Sequence, residues 1–122
     1  MGNGKTVLII DDDPDILFLC RSVIEAEGFQ VRTADSGDAG IELAESLQPD
    51  LVITDIMMER ADAGFCVVDR LGKKFPVIMF SSITNESDQI FDEKSLPIRA
   101  LFNKPVDTKK LVAKVKEILG QA

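Results

Sequence analysis

The side chains best suited to chemistry in this 122-residue chain stand at four places: Asp11-Asp12-Asp13, Asp55, Ser81-Ser82 and Lys104-Pro105. Each follows directly on a short apolar run, "VLII", "LVIT", "VIMF" or "ALFN". Three adjacent carboxylates repel one another, and such a cluster is tolerated when it is solvated or when a cation sits among them. The candidate ligands are oxygens and the chain has no histidine, which favours a hard cation. Mg²⁺ fits best, since it binds through few carboxylates and keeps several waters. A lysine ammonium can balance charge on a phosphoryl oxygen, and a serine hydroxyl can hydrogen-bond another. A carboxylate set against such a site is a nucleophile toward phosphorus, and the cation and lysine supply the electrostatic help that phosphoryl transfer mainly requires. Each piece alone has an ordinary explanation. Asp13 before Pro14 is a helix cap followed by proline at the first helical position. Asp55 reads as a turn aspartate, Ser81-Ser82 as loop, and Lys104-Pro105 as a bend. It is the four together, in this order and each at a strand end, that point to one site.

The elements that would carry these residues alternate along the chain. "TVLII" (6–10) is an unbroken β-branched run, as expected of a strand covered on both faces. Ile16, Leu19, Cys20, Val23 and Ile24 keep helical spacing until Gly28, which is expected to stop the helix. "FQVRTA" alternates like a more exposed strand, and Ser36-Gly37 opens a second helix closed near Pro49. "LVIT" is a short buried strand; Phe65, Val68 and Leu71 suggest a third helix; "VIMF" is a strand. Residues 87–94 suggest a weak fourth helix, "ALFN" a last strand, and Asp107 caps a fifth helix carrying Leu111, Val115, Ile118 and Leu119 up to Gly120. Five strands alternating with five helices call for a parallel sheet with helices on both faces, a three-layer α/β/α arrangement. Right-handed crossovers point every strand the same way. Ligands in such sheets bind beyond the carboxyl ends of the strands, the edge where all four candidate segments fall.

Bulk properties narrow the rest. The length predicts one domain spanning 1–122. Apolar residues at 45% and charged residues at 29% make a globular balance. A net charge of −7 argues against nucleic acid as a direct partner. Cys20 and Cys66 lack the number and spacing of a disulfide framework or zinc site, and read as small buried hydrophobes in a reducing compartment. No apolar stretch approaches the ~20 residues of a membrane span, so a cytoplasmic location is expected.

The motifs "VLIIDD", "PDLVITDIMM", "PVIMFSS" and "LFNKPV" make the chain resemble, over essentially its whole length, the receiver domains of two-component response regulators, of the single-domain, chemotaxis-regulator-like kind. The resemblance implies a flavodoxin-like doubly wound five-stranded parallel sheet of order 2-1-3-4-5. It implies that Asp55 is the phosphoacceptor. Asp12 and Asp55 would bind Mg²⁺ directly with the backbone carbonyl of Met57, and Asp11 mostly through water. Ser81 would hold the phosphoryl group and Lys104 would pair with it. The donor would be a phosphohistidine on a sensor histidine kinase or phosphotransfer protein, and the output the binding of a downstream protein. The chain would be a signalling domain rather than a turnover enzyme, a monomer or weak dimer with no output domain.

Departures from the family pattern carry their own expectations. Glu59 stands where proline is usual, and Gly64 comes nine residues after Asp55 rather than eight, so the loop between is altered. The position three before Lys104, usually aromatic, is Leu101, and the aromatic is Phe102. Strand neighbours point to opposite faces, so Phe102 is expected in the core. Met57 and Ile83 occupy the positions that tune hydrolysis, and neither apolar side chain can orient an attacking water, which predicts a long-lived acyl phosphate. The weakly apolar segment around 87–94 is expected to be loosely held, and phosphorylation, adding about −2 of charge, is expected to reshape the surface from Ser82 to Leu101. Three other functions compete. A haloacid-dehalogenase-type phosphohydrolase would use Asp11 as nucleophile with Asp13, but leaves Asp55 without a role. A flavin-binding electron carrier would want a phosphate loop where three aspartates stand. A degenerate receiver acting only in docking would have no use for the intact site.

Overall fold

The computed structural model describes residues 4–55, 63–81, 98–103 and 106–120, with side chains in the third helix from Val67 onward. Five parallel strands, β1 (Thr6–Ile10), β2 (Gln30–Ala34), β3 (Leu51–Asp55), β4 (Val77–Ser81) and β5 (Ala100–Asn103), form one sheet in the order β2-β1-β3-β4-β5. Four helices lie among the described residues: α1 (Pro14–Glu25), α2 (Gly37–Leu47), α3 (Ala63–Leu71) and α4 (Thr108–Leu119). The sheet order and alternation are those expected; the helix anticipated over 87–94 falls outside the described residues.

The side-chain alternation of each strand divides the core in two, because successive residues face opposite sides of a sheet. Val7, Ile9, Leu51, Ile53, Ile78 and Phe80 pack with Cys20 and Ile24 of α1 and Leu111, Val115 and Leu119 of α4. Leu8, Ile10, Val52, Val77 and Met79 pack on the other face with Ile41 and Ala44 of α2 and Val67, Val68 and Leu71 of α3. β1, β3 and β4 are therefore buried on both faces, which is why they read as unbroken apolar runs, whereas β2 at the sheet edge exposes Gln30 and Arg32. The fully buried Cys20 packs as a small side chain among the apolar residues of this core. Phe102 packs against the α1/α4 side while Leu101 lies on the α2/α3 side, and the Phe102 ring sits 6.4 Å from that of Phe80. Adjacent residues on one strand thus serve opposite layers, as the alternation requires.

Helix starts follow the sequence closely. Asp13 caps α1 by accepting from the Asp15 N–H at 2.9 Å, with Pro14 at the first helical position. Ser36 caps α2 through the Ala39 N–H, and Asp107 caps α4 through the N–H groups of Lys109 and Lys110. Helix ends follow it less closely. α1 ends at Glu25, three residues short of Gly28, because the last turn tightens: Glu27 donates to the Ile24 carbonyl at 3.0 Å and Gly28 to that of Glu25 at 2.9 Å. Gly28, at φ 94°, then redirects the chain into β2. α2 ends at Leu47, near Pro49 as expected, with Gln48 as its cap at φ 55°, a left-handed conformation uncommon without glycine; its side-chain amide donates to the Glu45 carbonyl at 2.9 Å. α2 approaches β1 closely at Gly40, where a β-carbon would lie 2.6 Å from Cγ1 and 2.9 Å from Cγ2 of Ile10. A 2.5 Å ion pair between Glu27 and Lys116 ties the turn after α1 to α4.

Candidate functional site

Strand register determines which residues meet at the carboxyl edge of the sheet. Ile10 of β1 pairs with Thr54 of β3, so the residues immediately following them, Asp11 and Asp55, emerge side by side. Asp55 pairs with Phe80 of β4, which brings Ser81 to the same edge, and Ser81 in turn pairs with Asn103 of β5. Ser81 and Asp55 are the last residues of their strands rather than parts of the loops beyond.

Carboxylate oxygens of Asp11, Asp12 and Asp55 lie within 4.8 Å of one another. Their burial differs: Asp11 is fully buried and Asp55 is 4% exposed, while Asp12 is open to solvent. Two buried carboxylates beside a third are costly as bare charges, and oxygens at this separation fit around one hard cation. The three residues can therefore hold Mg²⁺, and the donor set, all oxygen, suits that ion. Ser81, 2% exposed, stands at the edge on the next strand. Thr54, also fully buried, donates from its hydroxyl to the Asp55 carbonyl at 3.2 Å, bracing the end of β3.

The anticipated residues are thus brought together wherever the structure describes them. Asp11, Asp12, Asp55 and Ser81 share one edge; Met57, Glu59, Ser82, Ile83 and Lys104 lie outside the described residues. Asp13 stays with its cap, its carboxylate committed to the start of α1. A role missed in the sequence belongs to Asp11, whose Oδ1 accepts from the Asp13 N–H at 2.9 Å. This bond holds the turn that presents Asp12 and begins α1. The Asp11 N–H is itself held by the Ala34 carbonyl of β2 at 3.1 Å. The signal was available: an aspartate two residues before a cap can close a local turn with its side chain.

Residues 7–116 match the family described as response regulator receiver domain. Among curated relatives, the chain is 36% identical over 120 residues to the DNA-binding dual master transcriptional regulator RpaA of Synechocystis, covering 93% of this chain and 48% of that protein. It is 30% identical to the alkaline phosphatase synthesis transcriptional regulatory protein PhoP of Bacillus subtilis, covering 98% and 50%. It is also 30% identical to protein PilH of Pseudomonas aeruginosa, covering 93% and 97%. The chain therefore spans about half the length of RpaA and PhoP and nearly all of PilH. Among solved structures, the receiver domain protein (CheY-like) of Methanospirillum hungatei superposes with a TM-score of 0.82 at 25% identity, covering 97% of this chain and 95% of that one. The receiver domain of the Francisella response regulator 1452 superposes with a TM-score of 0.84 at 25% identity, covering 97% and 98%.

Proposed function

Because this chain belongs to the family of response regulator receiver domains, we propose that Asp55 accepts a phosphoryl group from a phosphohistidine of a partner and so switches a protein-binding surface. The observation carrying this reading is the convergence of the Asp11, Asp12 and Asp55 carboxylates within 4.8 Å, with Ser81 on the adjoining strand. Asp12 and Asp55, with the Met57 carbonyl, would hold the metal directly, and Asp11 mostly through water. When bound, Mg²⁺ offsets the negative charge of the carboxylates and of the incoming phosphoryl oxygens.

A carboxylate oxygen of Asp55 attacks phosphorus, and the N–P bond of the phosphohistidine breaks with its electron pair returning to the imidazole nitrogen. Ser81 donates its hydroxyl to one phosphoryl oxygen, and Lys104 pairs its ammonium with another. Burial of Asp55 restricts the approach of water. Met57 and Ile83 offer no group to orient a water for attack, so the acyl phosphate persists. Its eventual hydrolysis returns the carboxylate and releases orthophosphate. The donor is a sensor histidine kinase or a phosphotransfer protein, and the receiver acts through a downstream protein rather than as a turnover enzyme. Among the described residues no helix is long and apolar enough to cross a membrane.

The competing assignment, a phosphohydrolase with Asp11 as nucleophile, is set aside by the family match and by relatives that are response regulators. The test uses a small-molecule phosphodonor with Mg²⁺ and an intact-mass measurement. One added phosphoryl group is expected on the wild type and none on Asp55→Asn. Retention of the adduct in Asp55→Asn with its loss in Asp11→Asn would overturn the proposal.

A further inference from the structure

The rim of the sheet opposite the carboxylate cluster carries the reverse charge. In a chain of net charge −7, the turn after α3 and the residue entering β5 bring Lys73, Lys74 and Arg99 around a recess of about 190 Å³, lined also by Gly72, Phe75 and Pro76. Arg99 is held there by its backbone, whose N–H donates to the Val77 carbonyl at 2.7 Å, and Ala100 beside it is in register with Ile78. The turn is equally tied: Gly72 donates to Val68 at 2.8 Å, and Lys74 and Phe75 both donate to Leu71, at 3.0 and 2.9 Å. The positions from which the three cations project are thus set by hydrogen-bonded backbone on two separate segments.

Among the described residues the acids that pair with them are sparse. Lys74 approaches Glu45 at 3.8 Å, a long and exposed contact of little energy. Among the described residues neither Lys73 nor Arg99 has an ion-pair partner. Arg70, in the last turn of α3, adds a fourth positive charge nearby in sequence, with exposed Asp69 next to it. We infer that this recess is a binding site for a compact anion carrying two linked phosphoryl groups, distinct from the Asp55 site.

The number and chemistry of the cations select that class. Three cationic side chains line one recess, more donors than a single phosphoryl group would engage. Arg99 offers a planar fork suited to bidentate contact with a phosphoryl group, and the lysines act as point charges on the next. Phe75, 8% exposed, presents too little ring for a base to stack on, so the diphosphate rather than a nucleoside supplies the contact. Five-residue strands at ~3.3 Å per residue separate this rim from the carboxylate edge, so the anion does not compete for the metal site.

The test is a titration of pyrophosphate in EDTA, followed by backbone amide shifts and by calorimetry, so that no divalent metal links ligand and protein. Saturable shifts confined to 72–75 and 99 are expected, and Lys73→Ala combined with Arg99→Ala should weaken binding by at least about tenfold with unchanged thermal stability. ADP separates the two sources of the chemistry. Equal affinity for ADP and pyrophosphate identifies a nucleotide's diphosphate as a sufficient ligand, and binding of pyrophosphate alone identifies the free anion. Three results would each overturn the site: no saturable shift, shifts centred elsewhere, or an equal response to sodium sulfate at matched ionic strength. Asp55→Asn should leave pyrophosphate binding intact, so failure here and failure of the phosphoacceptor assignment read out separately.

Discussion

Replacing Asp12 by asparagine should stabilise the metal-free protein and weaken its response to Mg²⁺. Asp12 faces two carboxylates within 4.8 Å, so each pair repels by at least about 0.9 kcal/mol in a water-like dielectric, about 1.7 kcal/mol for both. Asp12 is exposed, which justifies the high dielectric. Screening at physiological ionic strength, where the Debye length is ~8 Å, reduces the total to about 1 kcal/mol. Part of the repulsion from Asp11, its sequence neighbour, persists in the unfolded chain, whereas that from Asp55 exists only in the fold. The net expected gain for Asp12→Asn in EDTA is therefore about 0.5–1 kcal/mol, or about 2–5 °C in Tm for a domain of this size. Mg²⁺ binding to the native state raises stability by mass action, and loss of one carboxylate should shrink that increment. Thermal denaturation in EDTA and in excess MgCl₂, with Glu42→Gln on exposed α2 surface as a control for net charge, reads both effects. Destabilisation of Asp12→Asn in EDTA, or a Mg²⁺ increment equal to that of the wild type, would refute the reasoning.

Three further outcomes are expected. Gly40→Ala gains about 1 kcal/mol of helix propensity but drives a methyl into Ile10, an overpacking cost of about 1–3 kcal/mol; urea denaturation should show a net loss, partly relieved by adding Ile10→Val. Asp107→Ala removes the acceptor for two N–H groups of α4 and should cost about 1 kcal/mol, measured as a lower denaturation midpoint with an unchanged slope. Met57→Asn and Ile83→Glu each introduce a group able to orient water and should accelerate loss of the phosphoryl group from Asp55, followed by phosphate release; no acceleration in either variant would argue against their proposed part in its persistence.

The order of elements was legible because β1, β3 and β4 are buried on both faces and so read as unbroken runs, a signal that needs no tertiary information. Caps at Asp13, Ser36 and Asp107 were equally local, since the side chain bonds N–H groups two or three residues away. Of the helix ends, α2 closed near Pro49 and α4 at Gly120 as read, whereas α1 closed three residues before Gly28 through tightened backbone bonds and α2 took a left-handed Gln48 as its cap, outcomes that depend on where the following strand must begin. The residues that meet at the carboxyl edge could be anticipated from the sequence because a parallel sheet sends every strand end to one edge.

What the sequence determined by itself was the kind of side chain available at that edge and, through alternation, the layer each strand residue serves: Leu101 to one side and Phe102 to the other. Only the folded chain decided that Asp11 is sealed from solvent while Asp12 is not, and that Asp11 also braces the turn before α1. Only the folded chain, too, gathered Lys73, Lys74 and Arg99 around one recess. The physical reason is the same in both cases. Burial and proximity between distant segments follow from strand register and layer packing, which are properties of the whole sheet and are written in no single stretch of residues.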